Sequence, residues 1–384
     1  SIAADLGVTA DAAAALDNSV TAAAGDAVAL LGLTNALVAG GAAAKLAAEQ
    51  VQTSPTALAA AGTAAASVGS AVFGVGSARM ASLRTGAAYA SAAATGFSTG
   101  NEGSGLSVWI RPFASFADQD TRGGIAGFDA DTVGLAGGWD VELGEDGNAT
   151  AGLALSVASS DVDGQDAGNA QTDIISYQVT LYGDYTTSSG YIEGLVGYAS
   201  NDVDTSRQLT FGGLNLTAIG AYDSDQFMAS VDAGIPVKVG SDSFLTPHVG
   251  FQYTHVNSES YTETGAGNLN LTVNPEDLDI ALGIIGARYH VNMSTENGTL
   301  TPELRASLQY DFAGDEAQSS STFTGGGAAF TTTGADVAEL GWSFGAGLSY
   351  TTDDGRTTFG ADYDAEFKDD FVGHAGRLEL KVQF

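Results

Sequence analysis

Three carboxylates stand at every second position near the C-terminus: Asp362, Asp364 and Glu366. Neighbouring acids are the raw material of general acid–base catalysis, and a row of oxygens is what calcium takes. Alternate spacing puts all three on one face of a strand, where a hydrated wall opposing basic groups is the plainer reading. A second acidic run, Ser160-Asp-Val-Asp-Gly-Gln-Asp166, lacks the distal Glu that closes a calcium loop, and solvation explains it. The four histidines, His248, His255, His290 and His374, include no pair at i, i+4, and there is no cysteine. No zinc site, thiolate site or cysteine nucleophile is therefore spelled out. His248 falls on a polar strand face with no companion nearby in sequence, and His255 lies near a loop. No Ser/His/Asp arrangement has supporting context. The sequence predicts no enzyme, no cofactor and no metal.

Charge narrows the partners. The 384 residues carry 46 acidic and 13 basic side chains, a formal net charge of −33. Nucleic acid requires clustered positive charge, and so does a polybasic membrane-surface role; both are excluded as expectations. With 44% hydrophobic and 9% aromatic residues the chain should fold. No basic stretch followed by an apolar core opens it, so no signal peptide is expected in these residues. The uncharged stretches 27–44 and 55–78 are built of Ala, Gly, Ser and Thr, too weakly apolar to argue for membrane helices.

The elements that must position these groups change character near residue 100. Before it the chain is rich in Ala, and its only bases are Lys45, Arg79 and Arg84. Ala is the strongest helix former, which predicts helices over 11–24, 26–38, 42–51 and 55–83. Ser54 is a good N-cap for the last, with Pro55 at its first position. Residues 85–105 read as a linker. Beyond 105 the period becomes two: Val133, Leu135, Trp139, Val141 and Leu143 alternate with Thr132, Gly134, Ala136, Gly138, Asp140 and Glu142. The same pattern predicts twelve strands, within 106–116, 131–143, 151–158, 175–185, 191–201, 226–238, 245–253, 281–291, 303–312, 339–350, 359–368 and 377–384. The strand over 281–291 is ambiguous, because Leu282 and Ile284 fall on its polar face.

Alternation also suits a soluble sandwich, but three features favour a membrane barrel. Strands of about 9–13 residues fit a tilted bilayer crossing better than the soluble mode of about 5–6. One face mixes charges with glycines while the other is apolar, as a wet lumen and a lipid face demand. Connections alternate between short (144–148, 186–190, 240–244, 293–299, 351–357) and long and polar (117–130, 159–173, 200–225, 257–277, 314–336), the order of periplasmic turns and external loops. The expected fold is all-β: a 12-stranded antiparallel transmembrane β-barrel with an Ala-rich α-helical N-terminal region. Residues 1–54 form a helical lead-in, 55–105 a further helix and linker, and 106–384 the barrel.

The C-terminal stretches Phe359-Gly-Ala-Asp-Tyr-Asp-Ala-Glu-Phe367 and His374-Ala-Gly-Arg-Leu-Glu-Leu-Lys-Val-Gln-Phe384 resemble the last hairpin of autotransporter (type V secretion) β-domains. Ser107-Val-Trp-Ile-Arg-Pro-Phe-Ala-Ser115 resembles that family's first strand, and Val133-Gly-Leu-Ala-Gly-Gly-Trp-Asp140 its second. Ser77-Ala-Arg-Met-Ala-Ser-Leu-Arg84 is similar to the helix end held in the family's pore, and residues 12–58 to its helical lead-in. By that resemblance residues 55–105 are a pore helix and linker. A straight helix over 55–83 would be about 43 Å long, enough to cross an apolar band of about 25 Å, and its Arg79 and Arg84 would face the lumen carboxylates Asp140, Glu142, Asp362, Asp364 and Glu366. The resemblance implies an anchor and translocator in the bacterial outer membrane that exports a covalently linked upstream passenger. It places the N-terminal region towards the cell surface and the C-terminus in the periplasm, in contact with outer-membrane lipid and lipopolysaccharide. It also implies insertion by the barrel assembly machinery, which reads the terminal strand at Leu378, Leu380, Val382 and Phe384. Some members cleave at an Asn inside the pore; no Asn occurs between Asn35 and Asn101, so no such cleavage is expected. A porin with a separate helical domain is the alternative, and an outer-membrane hydrolase a third class.

Overall fold

A computed structural model describes residues 2–59, 61, 73–74, 77, 80–81, 106–143 and 148–383. The period-two segments form one closed antiparallel barrel of twelve strands: β1 (Leu106–Gln119), β2 (Phe128–Leu143), β3 (Ala149–Gly164), β4 (Gln171–Thr187), β5 (Gly190–Leu209), β6 (Leu216–Gly234), β7 (Ser243–Ser258), β8 (Leu278–Val291), β9 (Gly298–Asp311), β10 (Leu340–Thr352), β11 (Thr357–Lys368) and β12 (Phe371–Gln383). Each strand pairs with the next, and β12 closes the cylinder on β1, so no long edge is left open.

The outer face follows the predicted alternation. On β4, Ile175, Tyr177, Val179, Leu181 and Tyr185 are exposed on the outside while Ile174, Ser176, Gln178, Thr180 and Tyr182 are buried inside. Ten residue steps from Ile175 to Tyr185, at about 3.3 Å each and a tilt near 40°, give an apolar band about 25 Å tall. Above it the outward positions turn acidic. Asp131, Asp161, Asp173 and Asp204 lie side by side on β2 to β5 by direct register.

The long connections are more ordered than their polarity suggests. Residues 200–225 are mostly ladder, because β5 and β6 run 20 and 19 residues. Alternation persists there with charges on the water side: Asp202 and Asp204 point out while Asn201, Val203 and Arg207 point in. The connections at 257–277 and 314–336 add a separate four-stranded sheet from Tyr261–Thr262, Leu271–Pro275, Gln318–Phe323 and Phe330–Thr333.

The N-terminal region is helical as expected: α1 (Ile2–Leu6), α2 (Ala10–Ala22), α3 (Ala27–Ala39) and α4 (Gly41–Val51). Thr9 caps α2 through the Ala12 amide, and Asp26 caps α3 through the amides of Val28 and Ala29. The helices sit on the long-loop end of the barrel. Their Ala12, Ala15, Leu16, Leu33, Ala36 and Ala48 share a core with Leu209 at the end of β5, Phe211 and Leu214 of the β5–β6 connection, Leu269, and Leu271, Phe323 and Phe330 of the loop sheet. The small side chains set this approach, since an added Cβ at Gly32 would stand 2.3 Å from Leu214.

Candidate functional site: the filled pore and its mouth

The chain enters the barrel through a capped helix start. Ser54 Oγ accepts the Ala57 amide at 3.0 Å, and residues 55–59 are helical, as the Ser-Pro pair predicts. Farther on, Phe73, Gly74, Ser77, Met80 and Ala81 are helical and lie within the lumen. Phe73 and Met80, seven residues apart and so on one helix face, are buried against Trp109 and Phe113 of β1, Ala136 of β2, Ala154 of β3, Tyr182 of β4 and Leu195 of β5. Helical residues of this segment therefore occupy the pore and lean on the β1–β6 half.

Glycines in the lumen make room for this aromatic lining. Trp109 lies over Gly138, Phe113 over Gly134 and Tyr182 over Gly152; an added Cβ would meet those rings at 2.6, 2.2 and 2.3 Å. Trp109 Nε1 donates to Tyr182 Oη at 2.8 Å, and Tyr182 donates to Asp140 Oδ2 at 2.9 Å. Asp140 is thus buried in a hydrogen-bonded chain, whereas Glu142, two residues on, is exposed near the strand end.

Opposite the helix, a cavity of about 480 Å³ is bordered by β8 to β12. Leu282 and Ile284, the anomaly of the sequence pattern, face this lumen together with Leu278 and Ile280, while Ile285 and Tyr289 face outwards. The acidic row lies on the same wall. Arg305 of β9 reaches Asp362 at 2.9 Å, Asp364 at 3.1 Å and Glu303 at 2.8 Å. Arg377 of β12 also pairs with Asp364, and Arg111 of β1 pairs with Glu379 of β12. Glu366 takes Lys368 at 2.9 Å and the Gln309 amide. The arginines seen against the acids are thus on the barrel wall; Arg79 and Arg84 lie outside the described residues. His248 has a companion after all, since its Nδ1 is 2.7 Å from Asp232 Oδ2, and His255 Nδ1 is 2.8 Å from Asp279. Among the described residues no three His, Cys, Asp or Glu side chains gather as a metal could require.

The pore mouth carries a constellation that sequence reasoning missed. Arg207 of β5 makes a two-pronged pair with Glu263, at 2.8 and 2.7 Å, and both side chains are buried. Arg207 also donates to the carbonyls of Gln50 at 2.6 Å and Leu269 at 3.0 Å. The Gln50 side chain donates to Ala167 O at 2.6 Å and accepts the Thr210 amide at 2.7 Å. Thr53 and Ser321 hydroxyls meet at 2.7 Å, Thr56 donates to Ala126 O at 2.9 Å, and Ser54 bonds Asp166. Nearby, Tyr261 stacks on Tyr222 at 4.7 Å, and burial pushes the Tyr261 phenol well above its ordinary range. A signal for Arg207 was present: it keeps the inward parity of Asn201 and Val203.

On β12, Leu378 and Leu380 are exposed on the outer face and Val382 is partly covered there; Phe384 lies outside the described residues.

This architecture has known counterparts. The autotransporter beta-domain family profile matches residues 108–364, more than half of the chain. Outer membrane protein B of Rickettsia prowazekii is 29% identical over 287 residues, covering 72% of this chain and 17% of that protein. Outer membrane protein A of Rickettsia conorii is 26% identical over 285 residues, covering 72% and 14%. The chain spans less than a fifth of the length of these relatives. Among solved structures, the translocator domain of the autotransporter NalP from Neisseria meningitidis aligns with a TM-score of 0.61 at 18% identity, over 86% of this chain and all of that one. The transport unit of AIDA-I from Escherichia coli gives 0.54 at 11%, over 78% and 97%. A closed twelve-stranded outer-membrane barrel with helical residues packed in its pore, matched along most of its strands, belongs to the autotransporter β-domain family.

Proposed function

We propose that this chain anchors a larger protein in the outer membrane and exports the passenger joined to its N-terminus. One observation carries the reading. Residues 50–59 run from the helices on the loop end into the barrel mouth, and the helical residues Phe73, Gly74, Ser77, Met80 and Ala81 lie inside the lumen. The chain entering the pore is therefore continuous with whatever precedes Ser1. The loop end faces the cell surface, and the start of β1 and the end of β12 face the periplasm, in line with short turns at one end and long connections at the other. Insertion by the barrel assembly machinery through Leu378, Leu380, Val382 and Phe384, and contact of the outer face with lipopolysaccharide, belong to the same proposal. No catalytic step is assigned: Asp362 and Asp364 are engaged by Arg305 and Arg377.

The test is an epitope fused before Ser1, expressed in a Gram-negative host and probed with antibody on intact cells. Labelling from outside supports export. Labelling only after permeabilisation refutes it and favours a porin with a periplasmic helical domain.

A further inference from the structure

We propose that Gln50 and Arg207 form a latch that fixes how far the chain is drawn out of the pore, holding the helical unit on the barrel and preventing back-sliding. The proposal rests on the export reading above. Three observations support it.

The receiving half is assembled by the barrel and its loops. Arg207 is held by both oxygens of Glu263 and by Leu269 O, and Glu263 in turn accepts the Leu271 amide at 2.8 Å. A guanidinium fixed in this way is pre-organised for one more acceptor.

The incoming half is the end of α4, where the last carbonyls of a helix have no partner within it. Gln50 O fills that need at Arg207 Nη1, and the Gln50 side chain reads Ala167 O and the Thr210 amide. One residue thus engages the β3–β4 connection, the β5–β6 connection and the β5 strand itself. A one-residue slip of the chain would break all of these bonds together.

Position makes the contact a stop rather than ordinary packing. Gln50 stands five residues before Pro55, where the helix that enters the barrel begins. Docking Gln50 therefore also sets the depth of that helix. The apolar contacts of α2 and α3 lack this directional content. Gln50 and Arg207 are positioning residues for export.

The test uses the full chain with the epitope before Ser1. The sequence has no cysteine, and the Thr53 and Ser321 hydroxyls lie 2.7 Å apart, so Thr53→Cys with Ser321→Cys reports docking through a disulfide. Gln50→Ala leaves the Arg207–Glu263 pair and the main-chain Gln50 O–Arg207 bond intact and is expected to slow cross-linking under limiting oxidant roughly tenfold, the effect of losing the partly buried side-chain bonds to Ala167 O and the Thr210 amide. Protease added outside should then remove the helices faster, while the barrel keeps its heat-resistant electrophoretic mobility. The double variant Arg207→Leu with Glu263→Leu, which strands no buried charge, is expected to behave alike. If that variant fails to fold, Arg207→Lys, which keeps a charge opposite Glu263 but loses the fork that reaches Gln50 O, tests that half of the latch, and Gln50→Ala tests the side-chain half. Unchanged cross-linking and protease resistance, with the epitope still labelled on intact cells, would overturn the latch and leave the export reading standing. An epitope unlabelled in the parent would overturn export and the latch with it.

Discussion

Arg111 and Glu379 face each other across the seam where the first strand meets the last, ion-paired and both buried. The register explains the need. Ile110 pairs with Leu380 and Phe113 with Arg377, but Pro112 between them has no N–H to give, and the ladder to β12 is interrupted at residues 111 and 112. The ladder to β2 continues through Pro112 and Leu135. A charge pair on the lumen side thus bridges the gap at closure.

Removing one partner leaves the other charge buried. Arg111→Ala is expected to cost about 3–5 kcal/mol, and Arg111→Leu with Glu379→Leu far less. Urea midpoints of the refolded barrel in detergent measure both; equal losses would remove the pair from the account of closure.

The rings over lumen glycines make a second prediction. Gly138→Val puts a branched side chain where Trp109 and the Leu153 carbonyl lie. A loss of about 1–3 kcal/mol is expected, with slower appearance of the folded band. Gly376→Ala, where an added Cβ meets nothing within 4 Å, should fold like the parent.

How much of this was legible follows from the kind of signal each group carries. All twelve strands were readable, because one face meets lipid and the other does not. Even the ambiguous 281–291 was a strand; its inward aliphatics line the lumen. Strand ends were not readable, because above the membrane the outward positions of β5 turn acidic while the inward ones mix Asn201 and Arg207 with Val203, so alternation no longer appears as hydrophobicity. The Asp362–Asp364 row was found, but its partners Arg305 and Arg377 were not, since cross-strand neighbours 57 and 13 residues distant leave no local mark. Gln50 and Glu263 escaped for the same reason: the loops that join them carry no period.

Deleting residues 55–81 is expected to raise the single-channel conductance of the barrel in planar bilayers above that of the intact protein, because Phe73 and Met80 pack inside the lumen against the β1–β6 wall. A large conductance in the intact protein would contradict a filled pore.

The Asp26 cap gives a pH dependence. Its carboxylate is held below the ordinary value of 3.8, first by the Ala29 amide and further by those of Asn268 and Val28, against a burial effect that raises it. A lowered folded value means its stabilisation is complete above the ordinary value and lost as pH falls through the folded one. Protease susceptibility of the helical unit should rise on acidification below about pH 4, and this part of the response should disappear in Asp26→Asn, which still caps α3.

On the lipid face, Leu378→Lys is expected to destabilise the folded barrel by about 2–4 kcal/mol if the site lies at mid-bilayer and less towards the rim. The loss, read from urea midpoints in vesicles, locates residue 378 in depth.

Asp131, Asp161, Asp173 and Asp204 repel one another across β2 to β5, and this repulsion has a use. Ile175 lies two residues below Asp173 on the same outward face, so hydrocarbon ends where the acids begin. Sinking by a single strand step would drag several carboxylates into lipid at once, and rising would lift leucines and valines into water. The row is a Plimsoll line: it fixes the draught at which the cylinder floats, and with it the height at which the helices on its loop end stand clear of the bilayer.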